Sequence, residues 1–362
     1  MNMRSRRFLF ALFVAIVMQM ASLSAFCKTA TQGQYPAMEK VFGYKDFDFI
    51  KIKPMNKPIY GRGTYMNGLY DIHIVKADHY KVVMKVWNRE DIELFDINKN
   101  GNVLELLSGV RKYPYNSRKA SSPRAEVTIY SPTFSGGEFS LCKDVSVSGR
   151  FTGRSLSVNA SGVVRITGLS GDWDSVVLGL SGGSSMNDIS LEAGSIHIVA
   201  NGAGAIGGKS AFKAGSLSAE MSGGSEIALK SLSVRNVDAT MCGASVLSSI
   251  LVNADELRTT MSGGTSIKFA GNIQSVAVGL SGAAAISLEG TGKSLHVTGS
   301  GGSSLESKAF TVKEASVSLS GAASAVLNVT DRLATDVSAS ATVDYYGKPK
   351  SVISKSSNVR EH

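Results

Sequence analysis

The stretch VVLGLSGGSS (176–185) returns as VAVGLSGAAA (276–285), one hundred residues further on. Around and between them a Ser-Gly pair or a close variant recurs as SGV, SGG, NGA, SGG, CGA, SGG, SGA, SGG, SGA and SAT. The second residues are Gly162, Gly182, Gly202, Gly223, Gly243, Gly263, Gly282, Gly301, Gly321 and Ala341, spaced by 20, 20, 21, 20, 20, 19, 19, 20 and 20. So constant a period is the signature of a repeat architecture.

Side chains hold register with these glycines. Six residues before them stand Leu156, Val176, Ile196, Leu217, Val237, Leu257, Val276 and Leu295, and two before them Leu180, Met221, Met241, Met261, Leu280 and Leu319. The intervening positions are mostly polar, as at Ser157, Glu220, Asp238, Arg258 and His296. That is a period of two, a strand with one buried face. A second strand follows each glycine with Ile166, Met186, Ile206, Ile227, Leu247, Ile267, Ile286 and Leu305 inward, and a third apolar cluster falls near Leu191, Phe212, Leu232, Val252 and Phe310. No coil of two or three short strands buries its own face, but stacked coils do. The expected fold is all-β: a β-solenoid, taken as a right-handed β-helix, of about ten 20-residue coils. At about 4.8 Å per rung that is a rod of roughly 45–50 Å. The glycine suits a corner with positive φ or no room for a Cβ. The serine beside it is expected to form a hydroxyl ladder. A sandwich or barrel has no reason to keep the register.

This geometry separates residues that would otherwise invite pairing. Cys142 and Cys242 lie at least four coils apart, beyond the roughly 7 Å that a disulfide allows between Cα atoms. His197 and His296 share one register five coils apart, so no metal site is expected from them, and no cofactor either. Residues 42–140 are strand-like but lack the period: FDFIKI (47–52), YDIHIV (70–75), YKVVMKVW (80–87), IELFDI (92–97), VLELL (103–107) and AEVTIY (125–130). They read as an N-terminal β unit that caps the solenoid, since an open end is an exposed sheet edge. The solenoid repeats span 141–347, and 348–362 read as a polar C-terminal tail. No alternating strand series long enough for an outer-membrane barrel follows.

The N-terminus, residues 1–27, has the layout of a secretory signal peptide, with Arg4, Arg6 and Arg7 before an apolar run from Phe8 to Met18. Residues 28–41 read as a linker. The chain carries a formal +9, and removal of three arginines leaves +9 − 3 = +6. In an exported protein that balance suits polyanionic glycans or lipid headgroups more than nucleic acid, and no nucleic-acid partner is expected. Membrane contact is expected only if Cys27 is lipidated or the signal segment stays uncleaved. The expected location is outside the cytoplasm: periplasm, outer-membrane surface or secreted.

With the repeat established, the chain resembles the "putative auto-transporter adhesin, head GIN domain" family, a family of unknown function common in Bacteroidota. FDFIKIKP (47–54), YDIHIVKADHYKVVMKVW (70–87), VSVSGRF (145–151) and the serial LSG-A/G units carry the resemblance, over about 42–345. It implies an exported β-solenoid and brings no catalytic residues. It also gives meaning to Asp174-Ser175-Val176, which matches a short sequence O-glycosylated in exported proteins of that phylum, with Ser175 as acceptor.

Candidate site residues are few. Arg111, Lys112, Tyr113 and Tyr115 mix aromatic and basic character in a loop (111–124) suited to an anionic glycan. Asp172 and Asp174 flank Trp173 in an expected turn, the nearest local pair of acids. Glycan hydrolysis needs two close carboxyl groups, one of them protonated. The other acids are scattered, with no column of them expected in neighbouring coils. No phosphate loop, metalloprotease helix or nucleophile elbow is present. The function expected is therefore non-catalytic: an adhesin-like cell-envelope solenoid that binds a glycan, matrix component or protein partner. The alternatives are a pectinase-like hydrolase or lyase, since right-handed β-helices also host such enzymes, and a structural spacer.

Overall fold

A computed structural model describes residues 38–55, 64–113, 122–354, 356 and 358–362. Residues 1–27, with Cys27, and most of the expected linker lie outside the described residues. The described residues form an all-β solenoid of about 11 turns, against about ten expected. One coil shows the plan. Strand Ser170–Leu180 stacks in parallel on Arg150–Ala160 and under Ser190–Ala200, in register on both sides of a corner at Asp174. A tight turn through Gly182 leads to the short strand Ser185–Asn187, and Asp188, at φ 54°, turns the chain into the next coil. The columns expected inward are inward: Leu156, Val176, Ile196, Leu217 and Val237 are each 1% exposed. The third cluster, from Leu191 to Phe310, is equally buried.

The glycine corner has two causes. All nine glycines from Gly162 to Gly321 have φ between 69° and 85°. From Gly182 onward a Cβ would also crowd the preceding corner, most at Gly182, where it would lie 2.6 Å from Gly162 O, and at Gly243, 2.7 Å from Gly223 O. Coils approach this closely because backbone amides bond across them, as Gly183 N to Gly162 O (2.7 Å) and Ala244 N to Gly223 O (2.7 Å). The expected serine hydroxyl ladder is not what joins the corners; Ser281 Oγ, for instance, donates to Met261 O (3.2 Å). The tenth member also needs correcting. Ala339, at φ 58°, occupies the turn, and Ala341 is fully buried. Register shifts near Glu306 and Val312 shorten the last coils, so Leu319 pairs with Val337 and the final spacing is 339 − 321 = 18.

The N-terminal strands cap the solenoid, and they also belong to it. Phe49–Pro54 pairs in parallel with Val103–Ser108 on one edge and with Gly136–Phe139 on the other. Leu69–Lys76 likewise lies between Arg124–Ser131 and Cys142–Ser148. The coil made first by the chain is thus inserted between two made later. Beyond it the end is closed by antiparallel strands: Lys81–Val86 on Arg124–Ser131, Met38–Phe42 on Lys81–Val86, and Phe95–Asn100 on Val103–Ser108. Among the described residues, this closure covers both outer strands of the parallel ladders at that end.

Two further readings change. The linker expected over 28–41 ends in strand Met38–Phe42. The expected C-terminal tail carries two strands, Ser351–Ser354 and Val359–Glu361, paired in parallel to the preceding coil. All four residues of Ser351–Ser354 are exposed, so backbone pairing holds them with no apolar pattern to announce it.

Candidate functional site

On the face leading into the glycine corners, the outward positions Thr260, Gly279, Thr298, Ser318 and Asp336 stack rung over rung. Beside them run the turn serines Ser281, Ser300, Ser320 and Ser338. Together they line an open trough of about 450 Å³ crossing five coils. Four intervals of about 4.8 Å make it about 19 Å long.

Two glycines shape it. Gly279 faces outward with no side chain, and a Cβ there would find its nearest neighbour, Thr298 Oγ1, at 3.7 Å. Gly299 faces inward, and the space it leaves is taken by Leu319, whose Cδ2 lies 2.6 Å from where a Cβ would stand. Ser281 and Thr298 donate to the backbone oxygens of Met261 (3.2 Å) and Val278 (3.4 Å). Thr260, Ser300, Ser318, Ser320 and Asp336 make no side-chain hydrogen bond to the described residues. The lining holds one carboxylate and no Lys, Arg or His. Arg258, on the adjacent column, is held by Glu256 at 2.8 Å. A lone carboxylate lacks the partner that acid-assisted glycoside cleavage requires.

The residues singled out from sequence do not assemble into one site. Trp173 is in the middle of a strand, not a turn, and is 2% exposed. Its ring fills the gaps left by Gly153 and Gly171, whose Cβ atoms would stand 3.3 and 2.3 Å from it, so it offers no face to a sugar. Asp172 and Asp174 are exposed on either side of it. Asp172 stacks directly against Glu192 in the next coil, an acid neighbour that the sequence reading missed. Hydrogen bonds from Lys213 and Arg150 hold the Glu192 carboxyl below the usual carboxylate range, so it stays ionised and supplies no acid proton. Ser175 is exposed, and its Oγ accepts from Ser195 Oγ at 3.5 Å. Arg111 is committed to an ion pair with the buried Asp91, whose carboxyl burial raises and Arg111 opposes. Lys112 is exposed on strand Val110–Tyr113; the side chain of Tyr113, and Tyr115 altogether, lie outside the described residues. His197 and His296 do share one column, five rungs apart. Among the described residues, no group of metal-ligating side chains gathers, and no helix is long and apolar enough to cross a membrane. The trough itself was missed: its signal in the sequence was a glycine, Gly279, in an outward column that is mostly polar but also holds Gly179 and Val199.

The chain matches the family described as "Putative auto-transporter adhesin, head GIN domain" over residues 66–250 and 231–349. Among solved structures it is similar to "a putative adhesin" from Bacteroides fragilis, at 17% identity and TM-score 0.51, covering 66% of this chain and 100% of that one. It is more distantly similar to a "putative adhesin" from Parabacteroides distasonis, at 14% identity and TM-score 0.27, covering 90% and 97%. A "Putative lipid binding protein" from the same species aligns at 11% identity and TM-score 0.25, covering 90% and 96%. No curated protein matches the chain.

Proposed function

The chain belongs to the auto-transporter adhesin head GIN domain family, and from that premise we propose that it is an exported, cell-envelope binding protein that holds a glycan, matrix component or protein partner without catalysis. The observation that carries this reading is the trough: an open surface over five coils, with hydroxyls of free hydrogen-bonding capacity and a single carboxylate in its lining. Such a surface can bind in many weak, repeated contacts, and it lacks the two opposed carboxyl groups of a hydrolase. The acids nearest to an enzyme-like arrangement, Asp172 and Glu192, support the same conclusion, because Glu192 is tied to two cations.

The test is binding of the purified chain to an immobilised panel of polysaccharides and matrix proteins, with release of soluble sugar measured in parallel. Saturable binding without product is expected. Product that disappears in Asp172→Asn or Asp174→Asn would establish an enzyme instead, and silence across the panel would favour a structural spacer.

A further inference from the structure

The lining of the trough defines what can lie in it. We infer that it takes a neutral, linear polysaccharide laid along the stacking direction, with each coil contributing one row of contacts. This rests on the adhesin-like reading above and narrows its ligand to one chemical class.

The hydrogen-bonding inventory comes first. A hydroxyl both donates and accepts. Thr260, Ser300, Ser318 and Ser320 have hydroxyls with no partner among the described residues. A row of such groups complements a polyol, whose own hydroxyls also do both. Charge comes second. The chain carries a formal +9, yet no cation lines the trough, and Asp336 would repel a carboxylate or sulfate. A site for an acidic glycan would place lysine or arginine here. Repetition comes third. Contacts recur at about 4.8 Å along a straight line, which suits a polymer of identical units better than one compact molecule. Gly279, in the second of the five rows, leaves the floor open to a ring.

A peptide strand fits less well. Strand addition needs a free sheet edge, and four of the five rungs under the trough, those of Thr260, Gly279, Thr298 and Ser318, are paired in register on both sides, as Val278 between Thr259 and Val297.

The experiment is calorimetric titration of the full chain with neutral β-glucan, β-mannan and β-xylan oligosaccharides, from disaccharide to octasaccharide. Oligogalacturonates of matching length serve as charged controls. At least one neutral series is expected to bind with affinity that rises with length and levels off once the five coils are spanned. Gly279→Val is the local probe. A Cβ there would have its nearest neighbour at 3.7 Å, the φ lies outside the left-handed region, and Val199 already occupies the same column. It should weaken that binding about tenfold or more, or about 1.4 kcal/mol, with an unchanged urea midpoint. Equal affinity in Gly279→Val would place the ligand elsewhere and overturn the inference. Preference for the acidic series, or no binding of any neutral series, would overturn it too. In either case, capture of the chain by the earlier panel would leave the adhesin-like reading standing.

Discussion

Alanine at Gly263 and at Gly162 separates the two causes of the glycine corner. Gly162 has φ 85° and open space, with no atom within 4 Å of a new Cβ. Gly162→Ala therefore carries only the cost of a left-handed conformation, about 1–2 kcal/mol. Gly263 has φ 79° and the same conformational cost, but its Cβ would also stand 2.7 Å from Gly243 O and 3.3 Å from Gly243 N. That oxygen cannot easily retreat, because it accepts from Gly264 N at 2.8 Å. Weakening this bond costs about 0.5–1.5 kcal/mol, and overpacking typically costs about 1–3 kcal/mol. Gly263→Ala should thus lose about 3 kcal/mol or more, and exceed Gly162→Ala by at least about 1 kcal/mol. Urea unfolding followed by circular dichroism reads the difference, with hydrogen exchange at the flanking coils as a local check. Equal losses at the two sites would mean that close approach of the coils adds nothing, and a negligible loss at Gly263 would refute the stacked corner.

Further expectations follow from single side chains. Ala339→Gly should stabilise by about 1 kcal/mol by relieving a left-handed alanine, whereas Ala341→Gly should destabilise by about 0.5–1 kcal/mol; the opposite order would return the last turn to Ala341. Trp173→Ala should cost about 3–5 kcal/mol as a core truncation while leaving oligosaccharide binding intact, and lost binding with normal stability would reinstate Trp173 as a contact residue. In the native state of the chain without residues 1–27, the exposed Cys242 should react with a thiol reagent and the buried Cys142 should not, while both react in denaturant without reductant; one titratable thiol or none would contradict the separation of the coils. Burial, followed by Asp71 and Asp144, pushes the Cys142 thiol from 9.0 up to about 12. The unfolded chain therefore releases this proton first, so stability held below pH 9 should decline as pH rises from 9 to 12, less steeply in Cys142→Ala. A decline just as steep in the variant would assign it to other groups.

The period was legible because each coil repeats the same demand, an apolar pair, a glycine and an apolar residue, and stacking multiplies that signal. It failed where the demand relaxes. At the last turn the chain tolerates Ala339, so counting twenty from Gly321 led to Ala341. Ser351–Ser354 is held by backbone alone and has no pattern to read. Trp173 looked like a ligand platform because sequence does not show that Gly153 and Gly171 leave a hole of its size. The Asp172–Glu192 stack needed the cross-coil register, since Glu192 lies twenty residues along the chain. The trough was invisible for a related reason: it is defined by what Gly279 lacks, and by hydroxyls from five separate coils.

The inserted coil sets an order for synthesis. Residues 49–76 are made before either of the coils that flank them, which need residues 103–131 and 136–148. Until residue 131 has been added, this first coil has neither flank complete, and until residue 148 it has only one. Winding therefore cannot start at the first strand and grow outward; it has to close around residues 49–76 once both flanks exist. In that interval first two edges and then one stand unpaired, and a flank borrowed from a neighbouring chain would satisfy them as well as the chain's own. The insertion of the first coil thus makes assembly of this end the step most open to exchange between molecules.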